Sequence, residues 1–449
     1  MPSSRFFAVD LCASLAYTQH NTESPPMTLA PKSDLRPNTY AFETEALVSP
    51  NGFREYDARW LYPKEINLNG MRLLGAALAT FIRDKGINPR IVVGHDYRSY
   101  SMSVKHALTI GLMQGGAEVL DIGLALSPTA YFAQFELDAP CVAMVTASHN
   151  ENGWTGVKMG AARPLTFGPD EMTALKTICL SGNVRFAPGG SYKAVDGIRE
   201  KYIADLASGP KLSRRIRAVV ACGNGTAGAF APEALARIGV DVLPLDVELN
   251  HDFPNYNPNP EDMKMLHALS HEVQKQKADI GLAFDGDGDR CGVVDDTGRE
   301  IFADKVGVLL ARDIASHQPN AQFVVDVKST GLFMTDPELI RLGAKTDYWK
   351  TGHSYIKRRS FELKAQAGFE KSGHFFFNPP IGRGYDDGIV SGMATLRMLD
   401  RAGGTKMSAL YDALPKTYGS PTMAPHCADE QKYKVVDEIT ASFQKSKAD

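Results

Sequence analysis

The sequence predicts an α/β fold of three repeated α/β units around a central cleft, and three observations carry that prediction. First, the β-branched runs Ile91-Val-Val-Gly-His-Asp96, Ala218-Val-Val-Ala-Cys222 and Phe323-Val-Val-Asp-Val327 each lead into a Gly, Ser or Asn loop and then a helix-compatible stretch. Second, each is followed by another strand candidate, near Val119, Val242 and Thr346, and then by a third that ends at a polar loop. Those third loops hold Ser148, Asp285 and Glu370, and chemistry at strand C-terminal ends is what open parallel sheets favour. Third, 449 residues suit about three domains. The expected boundaries are a flexible N-terminal arm over 1–45 and units over 46–194, 195–301 and 302–415, with 416–449 left over.

Taken in chain order, Arg5 to Ala16 has the outline of a signal peptide, but Asp10 interrupts its apolar stretch, and Met27 is an alternative start. Residues 20–45, rich in Pro, Ser, Thr and Asn, suggest a linker. In the first unit the apolar strand Val142-Ala143-Met144-Val145 runs into Thr146-Ala147-Ser148-His149-Asn150, whose short polar side chains can bond their own backbone. That places Ser148 at a strand end, in the open, beside His149. No G-x-S-x-G elbow accompanies it, so hydrolase chemistry is unsupported and a structural turn stays open.

The second unit carries the densest signal, Ala283-Phe284-Asp285-Gly286-Asp287-Gly288-Asp289-Arg290. Three carboxylates at alternate positions repel one another unless a hard divalent cation, most plausibly Mg²⁺, gathers their oxygens. An EF-hand fails on detail, since its sixth position is here Arg290 and its twelfth is Asp296. A solvated acidic turn is the alternative, although Ile280 to Phe284 has the pattern of a buried strand. A serine that carries phosphate needs a metal to neutralise the transferring group, so Ser148 and the three aspartates gain meaning together.

Composition excludes several classes of function. With 49 basic and 52 acidic residues the net charge is −3, so no general polyanion-binding surface is expected. The cysteines, Cys12, Cys141, Cys179, Cys222, Cys291 and Cys427, form no C-x-x-C pair, which argues against a zinc site or a disulfide framework. No apolar run is long enough for a membrane span.

Five segments, in order, resemble the α-D-phosphohexomutase family and its bacterial phosphomannomutase/phosphoglucomutase branch. They are Phe53-Arg-Glu-Tyr-Asp-Ala-Arg59, Thr146-Ala-Ser-His-Asn150, Asp285-Gly-Asp-Gly-Asp-Arg290, Thr351-Gly-His-Ser354 and Glu370-Lys-Ser-Gly-His374, and the resemblance spans about residues 46–449. It implies a cytoplasmic enzyme that interconverts hexose 6-phosphate and hexose 1-phosphate through a phosphoserine at Ser148 and a hexose 1,6-bisphosphate. That bisphosphate is also the implied activator, with one Mg²⁺ per chain on Ser148, Asp285, Asp287 and Asp289. The implied partners are small-molecule hexose phosphates, neither nucleic acid nor membrane, for a monomer or weak dimer. Lys158, in Gly156-Val-Lys158, matches the family's general base, with His149 adjacent. Arg290 and Arg59 match phosphate-contacting cations, Tyr56 abuts the same site, and His353, after Thr351 and Gly352, contacts substrate and assists proton transfer. Lys328 resembles a lysine near the substrate phosphate. Glu370 and Ser372 would hold the sugar's 3- and 4-hydroxyls, and His374 closes their loop.

Two departures stand out. A glycine of the family pattern is here Trp60, beside Arg59, which changes local backbone freedom. The segment Cys427 to Lys432 and the helix-like Tyr433 to Lys447 resemble the start of a fourth domain, so an incomplete fourth C-terminal domain is expected over 416–449, without its phosphate-gripping loop. The rival expectations are a phosphoglucosamine mutase and a non-catalytic sugar-phosphate-binding remnant.

Overall fold

Three sheets repeat one pattern. The computed structural model describes residues 30–418, 427 and 431–446; Arg5 to Ala16 and Met27 lie outside the described residues. In the first unit Arg90–His95 pairs in parallel with Glu118–Leu124 on one side and Cys141–Val145 on the other. In the second, Ile216–Ala221 sits likewise between Val240–Leu245 and Ile280–Phe284, and in the third Gln322–Asp326 sits between Lys345–Trp349 and Ala367–Phe369. These are the nine strands expected from the β-branched runs.

Each sheet continues with a strand that the parallel reading did not anticipate. Trp154–Gly160, Cys291–Asp295 and Phe375–Phe377 return antiparallel to the third strand of their unit. The intervening loops, 146–153, 285–290 and 370–374, are shorter than the roughly dozen residues a parallel crossover needs, so the chain must double back. The loops that hold Ser148, the aspartate trio and Glu370 are therefore hairpin turns, held at both ends by strands.

One apolar core joins the units. It runs from Val92, Leu120 and Met144 of the first sheet through Val220, Leu282 and Phe284 of the second to Phe323, Val325 and Phe369 of the third. The outer face of the first sheet has its own core with the helices Leu68–Asp84, Ser101–Gln114 and Pro169–Ser181. No helix among the described residues is long and apolar enough to cross a membrane.

Residues 30–45 depart from the expected flexible arm. Lys32 bridges Leu47, Thr39 caps the short helix Tyr40–Thr44, and Phe42 is buried. Asn67 fastens this segment while capping Leu68–Asp84: its Oδ1 accepts from Gly70 N (2.7 Å) and Leu47 N (2.9 Å), and its Nδ2 donates to Phe42 O (2.6 Å) and Glu45 O (2.9 Å). A single buried amide with all four bonds made ties 30–47 to the first unit, which polar composition alone does not reveal.

The Trp60 departure is absorbed by the core. Strand alternation in Ala58–Leu61 turns Arg59 to the cleft and Trp60 inward, where its Nε1 donates to Ser49 O (2.8 Å) and its ring meets Phe53 edge-on. Gly52 makes the room, since a Cβ there would lie 1.9 Å from Trp60 Nε1. Asn67→Ala is expected to cost about 3 kcal/mol in urea unfolding, by leaving buried backbone groups unpaired, and to speed proteolysis within residues 30–47. An unchanged cleavage pattern would show that the segment is held by other contacts.

Candidate active site

The three hairpins and the first strand converge on a cleft of about 1060 Å³. Its lining includes Tyr56, Arg59, Ser148, His149 and Lys158 from the first unit and Arg290 from the second. The third unit adds Lys328, Thr351, Gly352, His353, Glu370, Ser372 and His374, so every candidate outside the aspartate trio faces one space. The helix Lys432–Ser446, in the region expected to be helical, borders it with Tyr433 and Val436.

Ser148 is not in the open as its strand-end position suggested; it is 1 % exposed at the cleft base, with φ of 52°, in the left-handed region. That costly conformation is held by a residue pair the sequence reading gave no role. Asp96 accepts from Thr146 Oγ1 (2.9 Å) and Ala147 N (3.2 Å) and pairs with Arg98. Arg98 in turn donates to Ser148 O (3.0 Å) and Asn150 O (2.7 Å). Ser148 Oγ is left to donate to Asp285 Oδ2 (2.9 Å), with His149 Nδ1 at 3.3 Å. Gly286 permits the approach, because a Cβ there would lie 2.5 Å from Ser148 O.

Asp285, Asp287 and Asp289 are fully buried, with a carboxylate oxygen from each within 4.8 Å of the others. Asp287 Oδ2 accepts from Ser127 Oγ (2.6 Å) and Lys158 Nζ (2.7 Å), and Lys158 also pairs with Asp289 Oδ2. Burial and the neighbouring charges of Asp289 and Asp287 push Asp285 well above the usual carboxylate range. For Asp287 burial acts upward too, but the Lys158 ammonium outweighs it and holds the group down. Lys158, 2 % exposed, keeps its proton here: burial opposes the charge, and Asp287 and Asp289 more than offset it. Lys158 meets only Asp287 and Asp289 of the three, and Asp287 Oδ1 and Asp289 Oδ1 have no hydrogen-bond partner. An all-oxygen donor set with spare buried oxygens fits a hard divalent cation.

The cations lie above this floor. Arg59 Nε donates to Asp57 Oδ2 (2.9 Å) and its Nη1 to Asn150 Oδ1 (3.4 Å), while Arg290 Nε donates to His374 Nε2 (2.9 Å) and its Nη1 pairs with Glu261 (3.2 Å). The Arg290 charge, then burial, then Arg59 hold His149 well below its usual range, so it is neutral. Tyr56 packs edge-on against His353, ring centroids 4.7 Å apart, and burial keeps His353 neutral as well.

In the third unit Asp326 repeats the part of Asp96. At the end of its strand it accepts from Thr351 Oγ1 (3.0 Å) and Lys371 N (3.2 Å), joining the Thr351 and Glu370 loops. Gly352 N donates to Glu370 Oε1 (2.5 Å). Asp386, also without a sequence-based role, lies beneath His374 (Nδ1 to Oδ2 3.1 Å) and Lys357 (Nζ to Oδ1 2.8 Å), all buried. An acidic residue closing an apolar strand was the available signal for Asp96 and Asp326. Asp386, in an irregular loop, had none.

The family models described as phosphoglucomutase/phosphomannomutase alpha/beta/alpha domains I, II and III match residues 50–183, 200–298 and 302–418. A phosphomannomutase/phosphoglucomutase of Pseudomonas putida is 34% identical over 389 residues, 86% of this chain and 82% of that protein. A phosphoglucomutase of Neisseria gonorrhoeae is 32% identical over 400 residues, covering 89% and 85%. The crystal structure of a phosphoglucomutase/phosphomannomutase family protein from Burkholderia thailandensis superposes with a TM-score of 0.77 at 31% identity, over 84% of this chain and 82% of that one.

Burial raises Glu370 to about 7. The folded protein holds that proton to about pH 7 while the unfolded chain releases it near the ordinary value of 4.5, so the stability it confers is complete below 4.5 and lost as pH rises through 7. Glu370→Gln keeps the acceptor for Gly352 N and should gain about 3 kcal/mol on the wild type between pH 4.5 and 8, read from urea unfolding across that range. Parallel pH profiles for the two proteins would mean that Glu370 ionises normally.

Proposed function

Because this chain belongs to the phosphoglucomutase/phosphomannomutase family, a family of isomerase enzymes, we propose that its cleft interconverts hexose 6-phosphates and hexose 1-phosphates through a phosphoserine at Ser148 and a hexose 1,6-bisphosphate. The observation that carries this reading is the 2.9 Å contact of Ser148 Oγ with Asp285, in a cleft that Glu370 and Ser372 also line. A nucleophile, a metal-type carboxylate trio and a hydroxyl-reading loop, each from a different unit, are what phosphoryl transfer between sugar positions requires.

One Mg²⁺ held by Asp285, Asp287, Asp289 and the Ser148 phosphoryl group would offset charge on the group in transfer. The phosphoryl P–O bond to Ser148 Oγ breaks as a sugar hydroxyl attacks phosphorus. Lys158 takes the hydroxyl proton as the neutral amine, so it must first leave Asp287 and Asp289 and release its own proton to solvent. Arg59 and Arg290 hold phosphate oxygens, and Lys328, which lines the same cleft, holds the phosphate that is not transferred. The bisphosphate turns over in the cleft and its other phosphate returns to Ser148.

Glu370 and Ser372 accept and donate at the 3- and 4-hydroxyls in both orientations, and leave the 2-position untouched, so gluco and manno sugars both fit. His353 and His149, both neutral, assist proton movement. Phosphorylated hexoses are cytoplasmic metabolites, so the enzyme works there as a monomer or weak dimer, with hexose 1,6-bisphosphate as activator and neither nucleic acid nor membrane as partner.

Incubation with glucose 1,6-bisphosphate and Mg²⁺ should add one phosphate to the intact chain, mapping to Ser148, and Ser148→Ala should take up none while remaining folded. Phosphate on another residue, or mutase turnover by Ser148→Ala, would sink the assignment. Asp287→Ala should abolish most activity on glucose 1-phosphate and mannose 1-phosphate and weaken Mg²⁺ binding by calorimetry. A variant that keeps wild-type Mg²⁺ dependence would remove the trio from the metal site.

A further inference from the structure

We propose that a second pocket, between the second and third units, binds a small organic anion, a carboxylate or phosphate monoester on an apolar body. The pocket is a cavity of about 520 Å³, and none of its lining residues lines the catalytic cleft. That volume falls in the range of about 300–1,000 Å³ typical of small-molecule sites. Its walls are largely aliphatic, with Leu206, Leu310, Ile314, Ile381 and Met393 among them.

The charges around it are unequal. Arg383 pairs with Asp205 (2.6 Å) and Arg401 with Asp313 (Nε to Oδ1 2.9 Å), so those four cancel. Arg397 lines the cavity between them and makes no ion pair or hydrogen bond among the described residues; its Nε and Nη2 are buried without a partner. Asp387, the remaining acid of the lining, is engaged elsewhere and does not pair with it. One oxygen caps the helix Gly388–Arg401 through Ile389 N (2.9 Å) and Val390 N (3.0 Å), and the other accepts from Tyr202 Oη (2.8 Å).

An unpartnered guanidinium partly removed from water is costly, and the group that relieves it is an oxyanion that can take two of its N–H donors at once. The aliphatic walls then call for an apolar body behind the anion, which separates this site from one for free phosphate. Asp386, one residue before Asp387, meets His374 and Lys357 under the cleft, so the two cavities share a stretch of backbone.

The test is calorimetric titration of the full chain with 4-phenylbutyrate, with phenyl phosphate and with uncharged 4-phenylbutanol. At least one anionic probe should bind, the tighter one telling carboxylate from phosphate, and the alcohol should bind at least about tenfold more weakly. Arg397→Met should lower that affinity by about tenfold or more without lowering the unfolding temperature, since the guanidinium has no partner to lose. Ile381→Trp, which fills the cavity and keeps the arginine, should also abolish binding, and it decides the matter if Arg397→Met does not fold. Glu370→Gln, in the catalytic cleft, should leave it unchanged. Failure of both anions to bind, equal binding of the alcohol, or wild-type affinity in Ile381→Trp overturns the proposal.

Discussion

Three carboxylates buried at one point, with a single lysine to face them, are the constraint around which this molecule is organised. Lys158 comes from the first unit and reaches Asp287 and Asp289 in the second, and Ser127 and Ser148 of the first unit bond the same loop. Charges taken out of water gain little net stability even when paired, whereas removing one partner from a buried pair typically costs about 3–5 kcal/mol. The cluster is thus poorly explained as a device for stability. Its spare oxygens and its position under Ser148 fit a seat for a divalent cation.

The repeated unit solves the problem of bringing such different groups to one place. Each unit ends its third strand in a hairpin too short to cross over, so the loop is pinned by a strand on either side. In two units an acid at the end of the first strand reaches across to brace the hairpin loop, Asp96 for Ser148 and Asp326 for Glu370. The brace at Ser148 holds a left-handed backbone that a serine does not adopt cheaply, which is strain placed at the residue whose hydroxyl meets Asp285. The shared core then fixes the units relative to one another, so loops far apart in sequence keep their spacing.

Residues that looked local in the sequence often act at a distance. Trp60 stands beside Arg59 in the chain but on the opposite side of the strand, and its bulk is taken up over Gly52 rather than in the cleft. Asn67 caps a helix, as its type and position suit, yet half of its bonds secure a segment more than twenty residues earlier whose composition suggested a loose arm. Asp386 and Lys357 sit beneath two histidines of the cleft from an irregular loop and a helix, and no spacing in the chain connects them.

What the sequence determined by itself was whatever depends on neighbours along the chain. The nine parallel strands follow from β-branched runs bounded by turn residues, and the clustering of the aspartate trio from three carboxylates at alternate positions of one short loop. The candidate residues of the cleft were legible because they lie in short ordered motifs. Only the tertiary structure decided what depends on approach through space. It set the antiparallel returns, the burial of Ser148, the neutrality of His149 beside Arg290, and the raised affinity of Glu370 for its proton. Burial and Coulomb interactions act over a few ångströms regardless of separation in sequence, so these properties belong to the packed cleft and not to any segment of the chain.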